Sequence, residues 1–515
     1  MNQQLHDLFL HNTSIPIGQL AAYNVPIIAT TYLTLGGGLG SFAWVDHLRV
    51  YGVPASDIMA VGITPEPHGR YRRLCRNSQI PDEERLRSDS GSTPDNLWGW
   101  PGYAVREIGQ SLKEGHVMQA SKLSWQIFSE TALSSAYTPK AGDVYRAIER
   151  ESERIGWSQI WRYGRIRCIR KSDDGRYAAL CETEATASGN VSDFVVIGEY
   201  LHIALGYPGV RFLPELQHYR QQTKDFERVV NAYEPHEQLY TQLVAQGGTV
   251  LLRGRGIVAS RILQRLHEVQ QANPAVTIHV IHLMRSPREI NTRYNRAQRF
   301  TEHHWQLQPF NFPKACFTGD LRARFAKLSP QDRAEMIQLW AGTTTADRLD
   351  WREIVSTGLQ AGWYQIRFGK LASLEPLPDG RLCAQLAVRS AWHEVSKLAL
   401  DYVIDCTGLA SNFQANPLLC DLRSHYDLTP NPLGNLDVTP NFEVDALRNG
   451  SGRVFAAGAM TLGGPFGPVD SFLGLQYAAH RSVAALQQMG APALRVMTPM
   501  RSAQQWLYWA RKEAP

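Results

Sequence analysis

Two glycine turns carry the chemistry that this sequence offers most openly. The first sets Gly36, Gly38, Gly40 and Ser41 directly after an apolar, β-branched run. In such a turn one glycine permits the tight strand-to-helix bend. The next lets the backbone approach a pyrophosphate, and a small third residue lets helix and strand pack closely. The phosphates then sit at a helix N-terminus, where unbonded N–H groups and the helix dipole favour anions. The second turn, with Gly254, Arg255, Gly256 and Ala259, repeats the pattern. Two such units in one chain are far more specific than one. An acid to hold a ribose is missing after the first unit's second strand, where Gly62 and Ile63 stand; Glu66 is a poor substitute. In the second unit Arg285, Ser286 and Arg288 occupy that place. Arginine there suits a 2′-phosphate through two-pronged, charge-assisted bonds, which predicts NADPH rather than NADH.

Other residues invite chemistry less strongly. The run Trp98, Trp100 and Tyr103 would wall an aromatic pocket or simply pack as a loop. Lys314, after Phe310-Asn311-Phe312-Pro313, is a candidate for a substrate cleft. His303 and His304 are adjacent, so on a helix they would point apart, which argues against a metal site. Neither a Gly-x-Ser-x-Gly nor a His-Glu-x-x-His motif occurs.

These residues need a frame, and hydrophobic patterning supplies one. Residues 25–35 read as a buried strand, 42–50 as an amphipathic helix and 57–62 as a second strand, which is a βαβ unit. Residues 64–103 read as a long loop beside the first turn. A helix over 145–154 follows, then a hairpin of 165–170 and 177–182, then a buried strand over 193–198 leading to Ala204-Leu205-Gly206. The second βαβ unit pairs strands 249–253 and 277–283 around a helix over 260–269. Residues 296–360 read as helical and loop-rich. Strands over 364–368, 382–388 and 398–404 and a helix from about 470 to 486 complete the pattern.

Composition narrows the class. A length of 515 residues predicts two or three folding units. With 43% hydrophobic and 20% charged residues, a disordered chain, a fibre and a coiled coil are excluded. The net charge of +5 is small and no basic block appears, so no nucleic-acid partner is expected. Seven cysteines without a Cys-x-x-Cys pair argue against a zinc ribbon, a disulfide framework or a dithiol centre; they fit reduced thiols in the cytoplasm. The N-terminus has neither a basic region nor a long apolar run of signal type. Residues 24–45 carry no charge, but their threonines and glycines divide into strand, turn and helix, so no membrane association is expected.

In order and spacing, these motifs resemble those of flavoproteins with two dinucleotide-binding domains. That broad family includes the flavin-containing and N-hydroxylating monooxygenases and the pyridine-nucleotide disulfide reductases. The resemblance rests on the two glycine turns, on Ala204-Leu205-Gly206, on Asp405-Cys406-Thr407-Gly408, and on the stretch ending in Gly458. It covers about residues 25–490. It implies an α/β fold of two Rossmann-like domains. The FAD domain would be discontinuous, 1–238 and 399–515, with an NADPH domain inserted at 239–398. Thr407 and Gly408 would lie at a crossover, and Gly458 beside the ribityl chain. Asp470 and Ser471, at a helix start, would face the flavin or merely cap the helix.

The chain departs from the family in three places. Ala459 follows Gly458 where an aspartate is usual, no redox cysteine pair is present, and the F-x-G-x-x-x-H fingerprint is absent near His218. The implied activity is an NADPH-dependent, single-component monooxygenase using FAD, oxygen and a small, in one option aromatic, substrate through a C4a-(hydro)peroxyflavin. A halogenase using the same intermediate, an NADPH:acceptor reductase and a non-catalytic dinucleotide sensor are the alternatives. A homo-oligomer is compatible with all of them.

Overall fold

The computed structural model describes residues 2–129, 137–185, 191–294, 297–308, 316–340, 345–346, 348–387 and 395–515. Two sheets organise them, the first mixed and the second parallel. In the first, Ile27–Leu35 lies between Ile58–Gly62 and Asp193–Ile203, with Trp161–Tyr163 beyond Ile58–Gly62. Arg453–Ala456 pairs in parallel with the end of Asp193–Ile203, and Tyr177–Glu182 runs antiparallel to its start. Arg165–Ser172 and Tyr177–Glu182 form the expected hairpin.

The helix Leu39–Val50 is buried at every residue but Arg49. The amphipathic pattern expected over 42–50 is therefore not what its environment demands. Phe42, Trp44 and Val45 share a core with Val144 and Ile148 of Ala141–Ile155 and with Val483 and Leu486 of Phe472–Gln488. A helix covered on all sides has no solvent face to mark it.

The second sheet is parallel throughout. Its order is Tyr364–Phe368, Ile278–Met284, Gly248–Arg253, Tyr402–Asp405, Val229–Asn231. It draws in a strand on either side of the 239–398 limits expected for the inserted domain. Helix Ile257–Ala272 packs on one face through Ile262, Leu263 and Leu266. A three-stranded antiparallel sheet, Lys370–Pro376, Leu382–Ala387 and Val395–Leu400, covers the other through Leu374, Leu382 and Leu400 against Leu251, Leu283 and Val403.

Residues 296–360 differ from the expectation. They begin with strands: Ala297–Glu302 and Trp305–Gln308 form a hairpin, flanked by Thr292–Tyr294 and Thr345–Ala346. The turn is His303-His304, both with positive φ, 47° and 64°. Two-residue hairpin turns usually announce themselves by Asn-Gly or Asp-Gly, so this one carries no signal. Helices Gly319–Lys327 and Leu349–Ala361 follow. Among the described residues no helix is long and apolar enough to cross a membrane.

One buried cluster joins the first unit internally. Arg154 meets Glu151 through Nη2 at 2.5 Å and Asp46 at 3.3 Å, with all three side chains almost fully buried. Burial, then the Glu151 charge, holds the Asp46 carboxyl well above the usual carboxylate range, and burial also raises Glu151. A carboxyl raised in the fold binds its proton more tightly there than in the unfolded chain. Its contribution to stability is full below the ordinary carboxylate range and is lost as pH rises through the folded value. Asp46→Asn should therefore melt about 2 °C or more above the parent at mildly alkaline pH and show a flatter profile. Calorimetry across pH checks this; superimposable profiles would refute it.

Candidate functional site

A cavity of about 930 Å³ runs from the first glycine turn to the start of helix Ile257–Ala272. At one end, Gly36 donates its N–H to Val61 at 2.8 Å and holds φ +111°. A Cβ there would stand 2.3 Å from the Ala204 carbonyl oxygen, so only glycine fits. Gly38 is different: a Cβ added to it meets nothing within 4 Å and would project into open space. Gly38 also starts helix Leu39–Val50, so free N–H groups face that space. Gly40 lines the cavity too, and a Cβ there would lie 3.0 Å from the Ala204 side chain.

Ser41 is buried and lies outside the lining. Its hydroxyl donates to the Gly36 carbonyl and accepts from Thr34 Oγ1 at 2.9 Å. It braces the turn from beneath. The absent ribose acid also has a steric cause. A Cβ at Gly62 would stand 2.3 Å from the Gly37 nitrogen, because the strand end presses on the turn. Glu66 lines the cavity further on.

The opposite wall comes from late in the chain. Gly458, at φ +83°, and Ala459 line it, as do Asp470 and Ser471. Ser471 caps helix Phe472–Gln488, accepting the Gly474 N–H at 3.0 Å. Asp470 takes no part in that cap; it accepts the Tyr207 hydroxyl. Tyr207 belongs to the crossover 204–208, whose carbonyls at Leu205 and Tyr207 receive Arg70.

At the second turn Gly254 holds φ +126°, with the Cys406 carbonyl 2.5 Å from where a Cβ would be. Gly256 starts the helix and Ala259 is fully buried, as close packing requires. Ile257, Val258 and Ser260 line the cavity. Arg255 is committed elsewhere: it donates to Ser286 O at 2.5 Å and His304 O at 3.3 Å. Burial, then Arg288 and Arg253, pushes its guanidinium down to about 10. Arg285 is exposed and Arg288 half-buried, both on the loop after Ile278–Met284 and outside the cavity lining. Thr407 and Gly408 likewise stand behind it: Thr407 N–H donates to Asp405 at 2.9 Å, Gly408 holds φ +113°, and Leu409 is the residue that lines.

Lys314 lies outside the described residues. The aromatic run packs rather than lines: Trp98 meets Trp509 and Trp100 meets Trp506, each at 5.7 Å between centroids, and the Tyr103 hydroxyl donates to Asp95 at 2.5 Å. Sequence reasoning missed Arg70, Tyr207, Arg87 and the contact of Arg348 with Glu84 across the cavity wall. No motif marks them; the charge-dense stretch 82–87, inside a supposed loop, was the available signal.

Two units built on parallel strands, each with a glycine turn leading from strand to helix, are the layout of a two-domain, dinucleotide-binding flavoprotein fold. Solved structures share it. A cadaverine monooxygenase of desferrioxamine biosynthesis from Erwinia amylovora, solved bound to FAD, superposes with a TM-score of 0.63 at 13% identity, over 91% of this chain and 96% of that one. The ornithine hydroxylase of Pseudomonas aeruginosa gives 0.59 at 13% identity, over 90% and 100%. The ornithine N-hydroxylase of Kutzneria sp. 744, solved with reduced FAD, NADP+ and L-ornithine, gives 0.60 at 11% identity, over 90% and 100%. No protein-family model matches the chain, and none of the curated proteins does.

The two first-turn glycines make separable predictions. Gly36→Ala is expected to cost on the order of 2–3 kcal/mol in urea unfolding, from a strained φ and a backbone clash. Gly38→Ala should stay within about 1 kcal/mol of the parent, since nothing in the protein opposes the methyl. Equal losses would show that the turn is not held as described.

Proposed function

We propose that this chain is an NADPH-dependent FAD oxidoreductase, a single-component monooxygenase acting on a small molecule. The observation that carries the reading is one cavity that runs from the first glycine turn to the start of helix Ile257–Ala272, just past the second, with the Gly38 Cβ position open toward it. That opening fits a pyrophosphate lying on the backbone at a helix start. The similar folds of amine N-hydroxylating monooxygenases support the same class. FAD would supply hydride acceptance from NADPH and activation of oxygen.

The residues divide the work by position. Gly36, Gly38 and Gly40 would seat the FAD pyrophosphate, with Ser41 fixing the turn. Gly458 and the start of Phe472–Gln488 would lie along the ribityl chain and flavin. That helix end, capped by Ser471, would offer its positive end to negative charge on a reduced flavin. Asp470, held by Tyr207, would help orient the same edge. Gly254 and Gly256 would take the NADPH pyrophosphate, and Arg285 and Arg288 its 2′-phosphate. Thr407 and Gly408 shape the crossover that carries the wall at Leu409. All seven cysteines are free, and Cys75 is the one among the lining residues. A dithiol relay therefore has no second thiol at the cavity, which favours direct reaction at the flavin.

Three measurements test the reading. Gly38→Val should lose bound flavin, read as flavin absorbance per protein, while keeping its far-ultraviolet spectrum; retained flavin would refute the placement. Arg285→Ala should weaken NADPH about tenfold or more relative to NADH; equal loss for both removes that residue from the phosphate site. Anaerobic reduction by NADPH followed by rapid mixing with oxygen should give a transient absorbance band before reoxidation. Direct return of the oxidised spectrum, with no oxygen dependence of product, would point to an acceptor reductase, and a product that requires halide would point to a halogenase.

A further inference from the structure

The N-terminal helix meets the first sheet through charge as well as through apolar contact. Helix Gln3–His11 buries Leu5 and Phe9 against Ala178, Leu180, Val195 and Ile197. Beside that seam stand His6 of the helix, Glu182 at the end of Tyr177–Glu182 and Asp193 at the start of Asp193–Ile203. One imidazole nitrogen and one oxygen from each carboxylate all lie within 4.8 Å of one another. Among the described residues no other group of three or more His, Cys, Asp or Glu side chains is drawn together in this way.

The strand register makes this grouping costly without a cation. Glu182 and Asp193 are partners directly across an antiparallel ladder, where like charges repel. Their side chains are 6% and 1% exposed, so neither water nor salt screens that repulsion much. Each carboxylate is also held from outside the group. Arg167 Nη2 donates to Glu182 Oε2 at 2.5 Å, and the Asn2 backbone N–H donates to Asp193 Oδ2 at 2.6 Å. The other Asp193 oxygen, Oδ1, stands 3.0 Å from His6 Nε2. Each outer donor therefore occupies one oxygen and fixes how its carboxylate is turned, which is how outer contacts orient metal ligands. Asn2 also sets the helix that carries His6, since its side chain accepts the Leu5 N–H at 3.2 Å.

The donor chemistry selects among cations. An imidazole with two carboxylates is a nitrogen-and-oxygen set of the kind zinc takes, with a fourth position left for water. His6 is 24% exposed, so solvent reaches the group from the helix side. Magnesium demands a near-octahedral shell of oxygens, which this trio does not offer. The competing arrangement is a plain ion pair between His6 and Asp193, which takes up no metal.

We propose that His6, Glu182 and Asp193 bind a divalent cation of the zinc class, with Arg167 and Asn2 as the positioning residues behind them. The cation clips the N-terminal helix to the sheet. Arg167 lines the cavity as well, which places the clip one side chain from the cavity wall. The site does not rest on the flavin reading and survives its failure.

The test uses the purified full chain with whatever flavin it carries, freed of adventitious metal by a chelator. It is dialysed against Zn2+ at neutral pH and constant ionic strength, and bound zinc is counted by elemental analysis. At about 1 µM free zinc the parent should hold about one equivalent more than His6→Ala or Glu182→Gln. Co2+, added in place of zinc, should give visible bands of four-coordinate intensity in the parent and not in the variants. Zinc should raise the melting temperature of the parent by about 2 °C or more and leave that of His6→Ala unchanged. Mg2+ at the same concentration should do neither. A merely structural trio would lower the melting temperature of the variants and leave zinc content and cobalt spectrum as in the parent. The proposal is overturned by equal zinc content in parent and variants, by no uptake in the parent, or by tighter binding of Mg2+ than of Zn2+. Should Glu182→Gln fail to fold, His6→Ala, on the part-exposed helix, carries the comparison.

Discussion

Everything at the cavity depends on backbone pressed against backbone. The Ala204 carbonyl stands 2.3 Å from a Cβ position at Gly36, the Gly37 nitrogen 2.3 Å from one at Gly62, and the Cys406 carbonyl 2.5 Å from one at Gly254. In each case a parallel strand ends against a turn with no space for a side chain. That closeness brings the crossovers 204–208 and 405–409 over the strand ends, where open α/β sheets bind ligands. Gly62 shows the cost of the arrangement: the position where a ribose acid would sit cannot carry a side chain at all.

The same closeness explains what the sequence made legible. A glycine forced by a carbonyl or by positive φ appears as an unusual residue at a regular spacing, so both turns, their strands and their helices could be read. The parallel α/β architecture followed from them. Features set by tertiary company could not. Leu39–Val50 lost its polar stripe because two other helices cover it. The 297–308 hairpin turns on two histidines, which no turn rule marks. For Trp98 and Trp100 the sequence left a pocket wall and a packed loop both open, because their partners, Trp509 and Trp506, lie some four hundred residues away.

The site residues divide in the same way. Those that act through backbone, such as Gly36, Gly38 and Gly254, stand where their motif puts them. Those that act through side chains depend on what folding brings near. Ser41 turns inward to brace its turn, Arg255 is bound to carbonyls, and Asp470 is engaged by a tyrosine far away in sequence.

The commitment of Arg255 has an engineering consequence. Its guanidinium ties the loop after Ile278–Met284, through Ser286, to the hairpin tip, through His304. That loop and the hairpin therefore form one mechanical part, and a transplant of the loop alone would leave a cation without its two carbonyls. Any graft of this loop onto a similar fold has to carry both pieces together, so the natural unit of inheritance here is larger than the motif that names it.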